Sequence, residues 1–181
     1  MNRAYKHTGR LIVAVATVAA MQLTIEQIGP DAVDRARELM LVLHRHELAV
    51  QPALGSAPGR SDAAFWEHYR SGFARWWEGG GFALIAVVDG RDVGFLFATE
   101  REGLFGYESS ARIGYVEDIA VLEDIRGGGV GRALIEAARE RFRARGYSHF
   151  ELSSVPGNED ARAFYRRLGL QPAAVLMIGD A

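Results

Sequence analysis

At 181 residues the chain has room for one domain and no second, because domains take roughly 100–200 residues. With 49% hydrophobic and 24% charged residues it lies away from compositions that stay disordered, and a formal net charge of −2 excludes bulk positive charge as a way of holding nucleic acid. The absence of cysteine excludes disulfides, thiolate nucleophiles and cysteine-held zinc, and agrees with a cytoplasmic location.

Residues 1–20 carry Arg3, Lys6 and Arg10 without an acid, then an apolar run from Leu11 to Ala20. A basic head, an apolar stretch and small residues such as Ala14 and Ala16 follow signal-peptide grammar, while the run is shorter than the ~20 residues of a membrane helix, so no membrane partner is expected. A mis-assigned start or a loose tail before Met21 competes with that reading. Residues 1–20 are therefore set apart as an extension, and 21–181 as the domain.

Alternation predicts a strand over 22–28. Val33, Ala36, Leu39, Met40, Leu43 and Leu48 recur at helical spacing and predict a helix over 31–50. Pro52, Gly55, Pro58 and Gly59 mark 51–60 as a loop. A second helix opens at Asp62, carries Phe65, Trp66, Tyr69, Phe73, Trp76 and Trp77 as core aromatics, and stops at the glycines 79–81. Strands over 82–88 and 93–99 form a hairpin, since Asp89-Gly90 supplies the positive φ of a tight turn. A strand over 112–121, a helix over 131–145, a strand over 149–155, a helix over 159–168 and a final strand over 173–178 complete the chain. The order predicts an α/β protein of the α+β type, a mixed sheet with helices on both faces.

The stretch 119–134 runs from a strand through Arg126, Gly127, Gly128, Gly129, Val130, Gly131 and Arg132 straight into a helix. Such a junction aims backbone N–H groups and the positive end of the helix dipole at whatever precedes the helix, which is how phosphates are held. Residues 126–167 carry nine arginines against five acids, so the electropositive part of the chain surrounds this turn. A Walker loop requires Lys-Ser or Lys-Thr after its last glycine, and Gly131 is followed by Arg132 and Ala133. A dinucleotide fingerprint counted from Gly127 and Gly129 requires a glycine where Arg132 stands.

The spacing Arg126-x-x-Gly129-x-Gly131 resembles the acetyl-CoA pyrophosphate loop of the GNAT family of N-acetyltransferases. Asn158, Ala161, Phe164, Tyr165, Leu168 and Gly169 are similar to that family's later motif, with Leu170 where the family has Phe. The resemblance covers 21–178. It implies the GNAT fold, with a mixed central sheet of six to seven strands, and acetyl transfer from acetyl-CoA, as cosubstrate, to the amine of a small molecule or protein. It implies that residues 126–132 grip the pyrophosphate, that Ile119, Ala120 and Val121 align the pantetheine arm, and that Asn158 orients the cofactor. In the family role Tyr165 is the donor to the departing thiolate. A non-catalytic acyl-CoA sensor or interaction module on the same fold is the alternative, and the family often forms homodimers.

A lysine-like amine is protonated at neutral pH, and freeing its lone pair costs roughly 4–5 kcal/mol, so a base is useful. Glu117 shares the strand face of Ile113, Tyr115, Ile119 and Val121 and is the candidate base, because a carboxylate on an apolar face is costly unless useful. A bulge, expected from the family, would instead turn Asp118 inward. Both acids lean toward a cationic acceptor such as a polyamine, an aminoglycoside or a lysine side chain. His44 and His46 are two apart on a helix, so their rings diverge, and no metal site is implied. Family variation makes loop 51–60 the expected acceptor-selecting element.

Overall fold

A computed structural model describes residues 12–18, 21–51, 53–103 and 111–180, giving the backbone alone for 12–18 and 21. The main sheet has six strands in the order β1 (Ile12–Val18), β2 (Met21–Ile28), β5 (Phe82–Val88), β6 (Arg91–Glu102), β7 (Arg112–Val121) and β8 (Phe150–Leu152). All neighbours are antiparallel except β7 and β8, which run parallel. The hairpin between β5 and β6 turns on Asp89 (φ 50°) and Gly90 (φ 83°), the two positive φ values of a type I′ turn.

Helices cover both faces. Phe82, Leu84, Ala86 and Val88 of β5 join the core beneath α3 (Val130–Ala144), while Ala83, Ile85 and Val87 join the core beneath α1 (Arg37–Val50) and α2 (Asp62–Glu78). A central strand buried on two sides is apolar at every position, which is why 82–88 reads as a continuous hydrophobic run. On α2, Phe65, Trp66 and Phe73 are buried, and Tyr69, Trp76 and Trp77 pack at the edge of the same core. Gly114 of β7 faces Phe142 of α3 so closely that a Cβ would overlap the ring. Gly114→Ala is expected to lower unfolding stability by about 1–3 kcal/mol through overpacking, read as a shift in the denaturant midpoint.

Four elements differ from expectation. The helix over 31–50 begins as a 3-10 turn, Pro30–Ala36, before α1. Part of loop 51–60 pairs as a ribbon of β3 (Ala53–Leu54) and β4 (Ala57–Pro58). Residues 12–18, placed in the extension by sequence, form the edge strand β1 along β2; a run of β-branched and small residues suits an edge strand as well as a signal peptide. The final strand over 173–178 does not form. That segment has no regular structure and leaves Val175 81% and Leu176 94% exposed, since alternation makes a strand only where a partner edge is in reach.

Two irregularities of β7 create the site. Phe97 pairs with Asp118 and Ala98 with Val116, so Glu117 is the extra residue of a bulge. On its other side β7 pairs with β8 only from Gly114 to Val116. The rest of β7, through Val121, borders an open cleft.

Candidate active site

The cleft is about 560 Å³ and is walled by the free end of β7, the turn before α3, the exit of β8, one side of α4 (Glu159–Arg167) and α1. Leu122 N–H donates to Val93 O, and the two-residue period of an antiparallel ladder then turns the N–H groups of Ile119 and Val121 away from β6, toward the cleft.

At one end lies the glycine turn. Gly127 (φ 82°) and Gly129 (φ 83°) are left-handed, a backbone region costly for any residue with a Cβ. Gly129 is the N-cap of α3 and supplies no side-chain cap, so the first N–H groups of the helix, on Val130, Gly131 and Arg132, are open to a ligand. A Cβ on Gly131 would come within 3.2 Å of the Phe164 ring, so the two sequence motifs meet through this contact. Arg126 donates from Nε to Val121 O at 3.3 Å, tying the turn to the strand. Arg126, Arg132 and Arg167 line this end and make it positive.

Asn158 caps α4 by accepting from Ala161 N–H at 3.2 Å, and its same oxygen lies 3.3 Å from His46 Nε2. That contact links α1 and α4, leaving the Asn158 amide NH₂ as the group free for a ligand. Tyr165 faces the cleft from α4. Burial, and then the charges of Glu47 and Asp118, push its hydroxyl up to about 12, so it is a proton-bearing donor at neutral pH.

The other end is acidic. Asp118 is 7% exposed and hydrogen-bonded to the Tyr69 hydroxyl; its Oδ2 is buried with no partner among the described residues. Burial, then Glu47 and Glu117, push its carboxyl up to about 8, against the opposing Tyr69 hydrogen bond. Glu117, on the bulge, accepts from the Thr99 hydroxyl at 2.6 Å. Both acids line the cleft, with Asp118 the deeper of the two.

Sequence reasoning missed Glu47 and the role of His46, and read Tyr69 as one of the core aromatics of α2. Glu47 lines the cleft from α1, and burial raises its carboxyl against the lowering effect of His44 and His46. The signal was present, because Glu47 continues the face of Met40 and Leu43 at i+3 and i+7 and is a carboxylate on an apolar stripe. His44 and His46 do diverge: His44 stacks on Phe65 with ring centroids 4.0 Å apart and bonds Arg60 O, while His46 reaches Asn158. No described residue of 51–60 lines the cleft, which α1 borders through Val42, Leu43, His46 and Glu47.

Fold and cleft together define an α/β protein whose cleft runs from a glycine turn with uncapped helix-start amides to an acidic pocket on one strand. The chain belongs to the acetyltransferase (GNAT) family, whose sequence profile matches residues 46–170. It is 32% identical over 96 residues to a mycothiol acetyltransferase of Saccharomonospora viridis, covering 53% of this chain and 31% of that protein. It is 33% identical over 93 residues to an uncharacterised N-acetyltransferase of Methanocaldococcus jannaschii, covering 51% of this chain and 40% of that one. The chain thus spans less than half the length of either relative. Among solved structures, the aminoglycoside N-acetyltransferase AAC(6')-Iy in complex with CoA superposes with a TM-score of 0.67 at 21% identity, over 90% of this chain and 97% of that one. At that identity the likeness establishes the fold. No helix among the described residues is long and apolar enough to cross a membrane.

Proposed function

We propose that the chain is an acetyl-CoA-dependent N-acetyltransferase that moves the acetyl group to a primary amine by direct attack. The observation that carries this reading is one cleft with open helix-start amides at its basic end and, at its acidic end, Tyr165 near the buried Asp118, one oxygen of which has no partner among the described residues. The residues fit coenzyme A: the amides of 130–132, with Arg126 and Arg132, suit a diphosphate, and the outward N–H groups of Ile119 and Val121 suit an extended pantetheine amide. The name of the CoA-bound neighbour supports the same choice of cosubstrate.

In this reading Asp118 takes the amine proton. An acid near 8 matches an amine of pKa about 10.4 better than an ordinary carboxylate does, because proton transfer is cheapest between groups of similar pKa. Glu117, the candidate from sequence, raises Asp118 from the bulge. As the amine nitrogen bonds to the acetyl carbon, a β7 N–H donates a hydrogen bond to the carbonyl oxygen as charge grows on it, the carbon–sulfur bond breaks, and Tyr165 donates a hydrogen bond to the thiolate.

Calorimetry with acetyl-CoA and thiol release across an amine panel test the reading. Binding with release on at least one amine supports it; tight binding with no release on any acceptor would make the chain a sensor and overturn it. Gly129→Ala places a Cβ in the left-handed region at a strain of about 1–2 kcal/mol. It is expected to weaken acetyl-CoA binding by about tenfold in the same calorimeter, and unaltered affinity would remove the turn from the cofactor site.

A further inference from the structure

The acidic end of the cleft holds more negative charge than one reacting amine can answer. Glu47 enters from α1, and Glu117 and Asp118 from the bulge of β7. No salt bridge joins any of the three to a described residue. Glu117 and Asp118 have neutral hydroxyl partners in Thr99 and Tyr69. The basic groups acting on Glu47 are His44 and His46, and each ring is engaged elsewhere, with Arg60 O and Asn158 Oδ1. Carboxylates drawn from water without counter-ions are unstable charged, and the upward shifts of Asp118 and Glu47 express it. Asp118, more than nine-tenths buried, lines the cleft, and its Oδ2 has no partner among the described residues, which marks the place of one missing donor.

A monoamine meets this need only until it reacts. Its ammonium gives its proton to Asp118 and attacks as a neutral nitrogen, so Glu47 and Glu117 face the transition state with no cation. A second ammonium that does not react would stay beside them throughout, and only its binding answers the remaining charge. We propose that the acceptor is a dication, a diamine or longer chain of amines, whose non-reacting ammonium sits on Glu47 while the reacting amine faces Asp118. The proposal rests on the acetyl-transfer reading and narrows it. The balance is that of that reaction: the nitrogen–carbon bond forms, the carbon–sulfur bond breaks, the amine proton passes to Asp118, and the sulfur leaves as thiolate hydrogen-bonded by Tyr165. Glu47 changes neither bonds nor protonation in the step.

Diaminobutane and butylamine, equal in carbon count, are the probes, with thiol release from acetyl-CoA and calorimetry on the CoA complex of the full chain as readouts. Diaminobutane is expected to exceed butylamine in kcat/KM by about tenfold or more, mainly through KM, as a charge-assisted contact gives. Glu47→Gln is expected to collapse that ratio toward unity, with CoA binding in the same variant confirming a folded cleft. A ratio near unity in the unaltered chain, or a variant that loses both amines by one factor, overturns the proposal. If both amines are acetylated equally well, the transfer reading stands and the Glu47 seat falls. If diaminobutane binds the CoA complex more tightly in a Glu47-dependent way while no amine releases thiol, the seat stands and the transfer reading falls.

Discussion

Tyr165→Phe is expected to lower turnover by about 10- to 100-fold while leaving acetyl-CoA affinity within about a factor of two. The substitution removes one oxygen and keeps the ring among its α4 neighbours, so a change confined to kcat isolates the hydroxyl. Its size follows from the phenol's environment. Burial and the charges of Glu47 and Asp118 hold the hydroxyl near 12, whereas the departing thiol is a Cys-like acid of pKa about 8.5. Full proton transfer from phenol to thiolate would be uphill by about 5 kcal/mol at 1.36 kcal/mol per unit. The hydroxyl therefore stabilises the thiolate by a charge-assisted hydrogen bond, and such a bond contributes about 1.5–3 kcal/mol. Steady-state thiol release and calorimetry on the same preparation check the split. Equal losses in turnover and affinity would assign Tyr165 a packing role.

What sequence made visible here was local. The turn at Asp89 and Gly90, the strand Arg112–Val121 and the glycine turn into α3 all rest on backbone preferences encoded by the residues in place. The contact of Gly131 with Phe164 gives a physical reason why the two family-like motifs occur in one chain. The sequence left the base open between Glu117 and Asp118, because a bulge depends on how β6 registers against β7, and no pattern within 112–121 records it. Glu47 shows in sequence as a carboxylate on an apolar stripe, but the residues that share the cleft with it lie on β7 and α4, far along the chain. Segments 12–18 and 173–178 are a matched pair. Both segments have strand composition; one finds β2 as a partner and the other finds no edge.

Asp118→Asn is expected to cost activity and add stability, in opposite directions along the pH axis. In the folded chain this carboxyl titrates near 8, raised by burial and by Glu47 and Glu117, whereas an unfolded aspartate titrates at about 3.9. Between those values the folded state holds a proton that the unfolded state has lost, so the stability that Asp118 permits is present in full below about pH 4 and is lost as pH rises to 8. Asparagine never acquires the charge. The variant is thus expected to melt near the unaltered protein at pH 4 and well above it at pH 9, in a thermal scan at each pH. Catalysis runs the other way. The base works only when deprotonated, so acceptor kcat/KM in the unaltered enzyme rises with pH through about 8, a limb that Tyr69, Glu47 and Glu117 all help to position. Asparagine abolishes that limb and lowers the rate by about 10²–10⁴-fold, the usual contribution of a positioned base. A variant destabilised by the same amount at every pH would reduce Asp118 to a packing residue. A variant that keeps the pH limb would move the base to Glu117. The predicted combination is the signature of a group kept for chemistry against the stability of the fold.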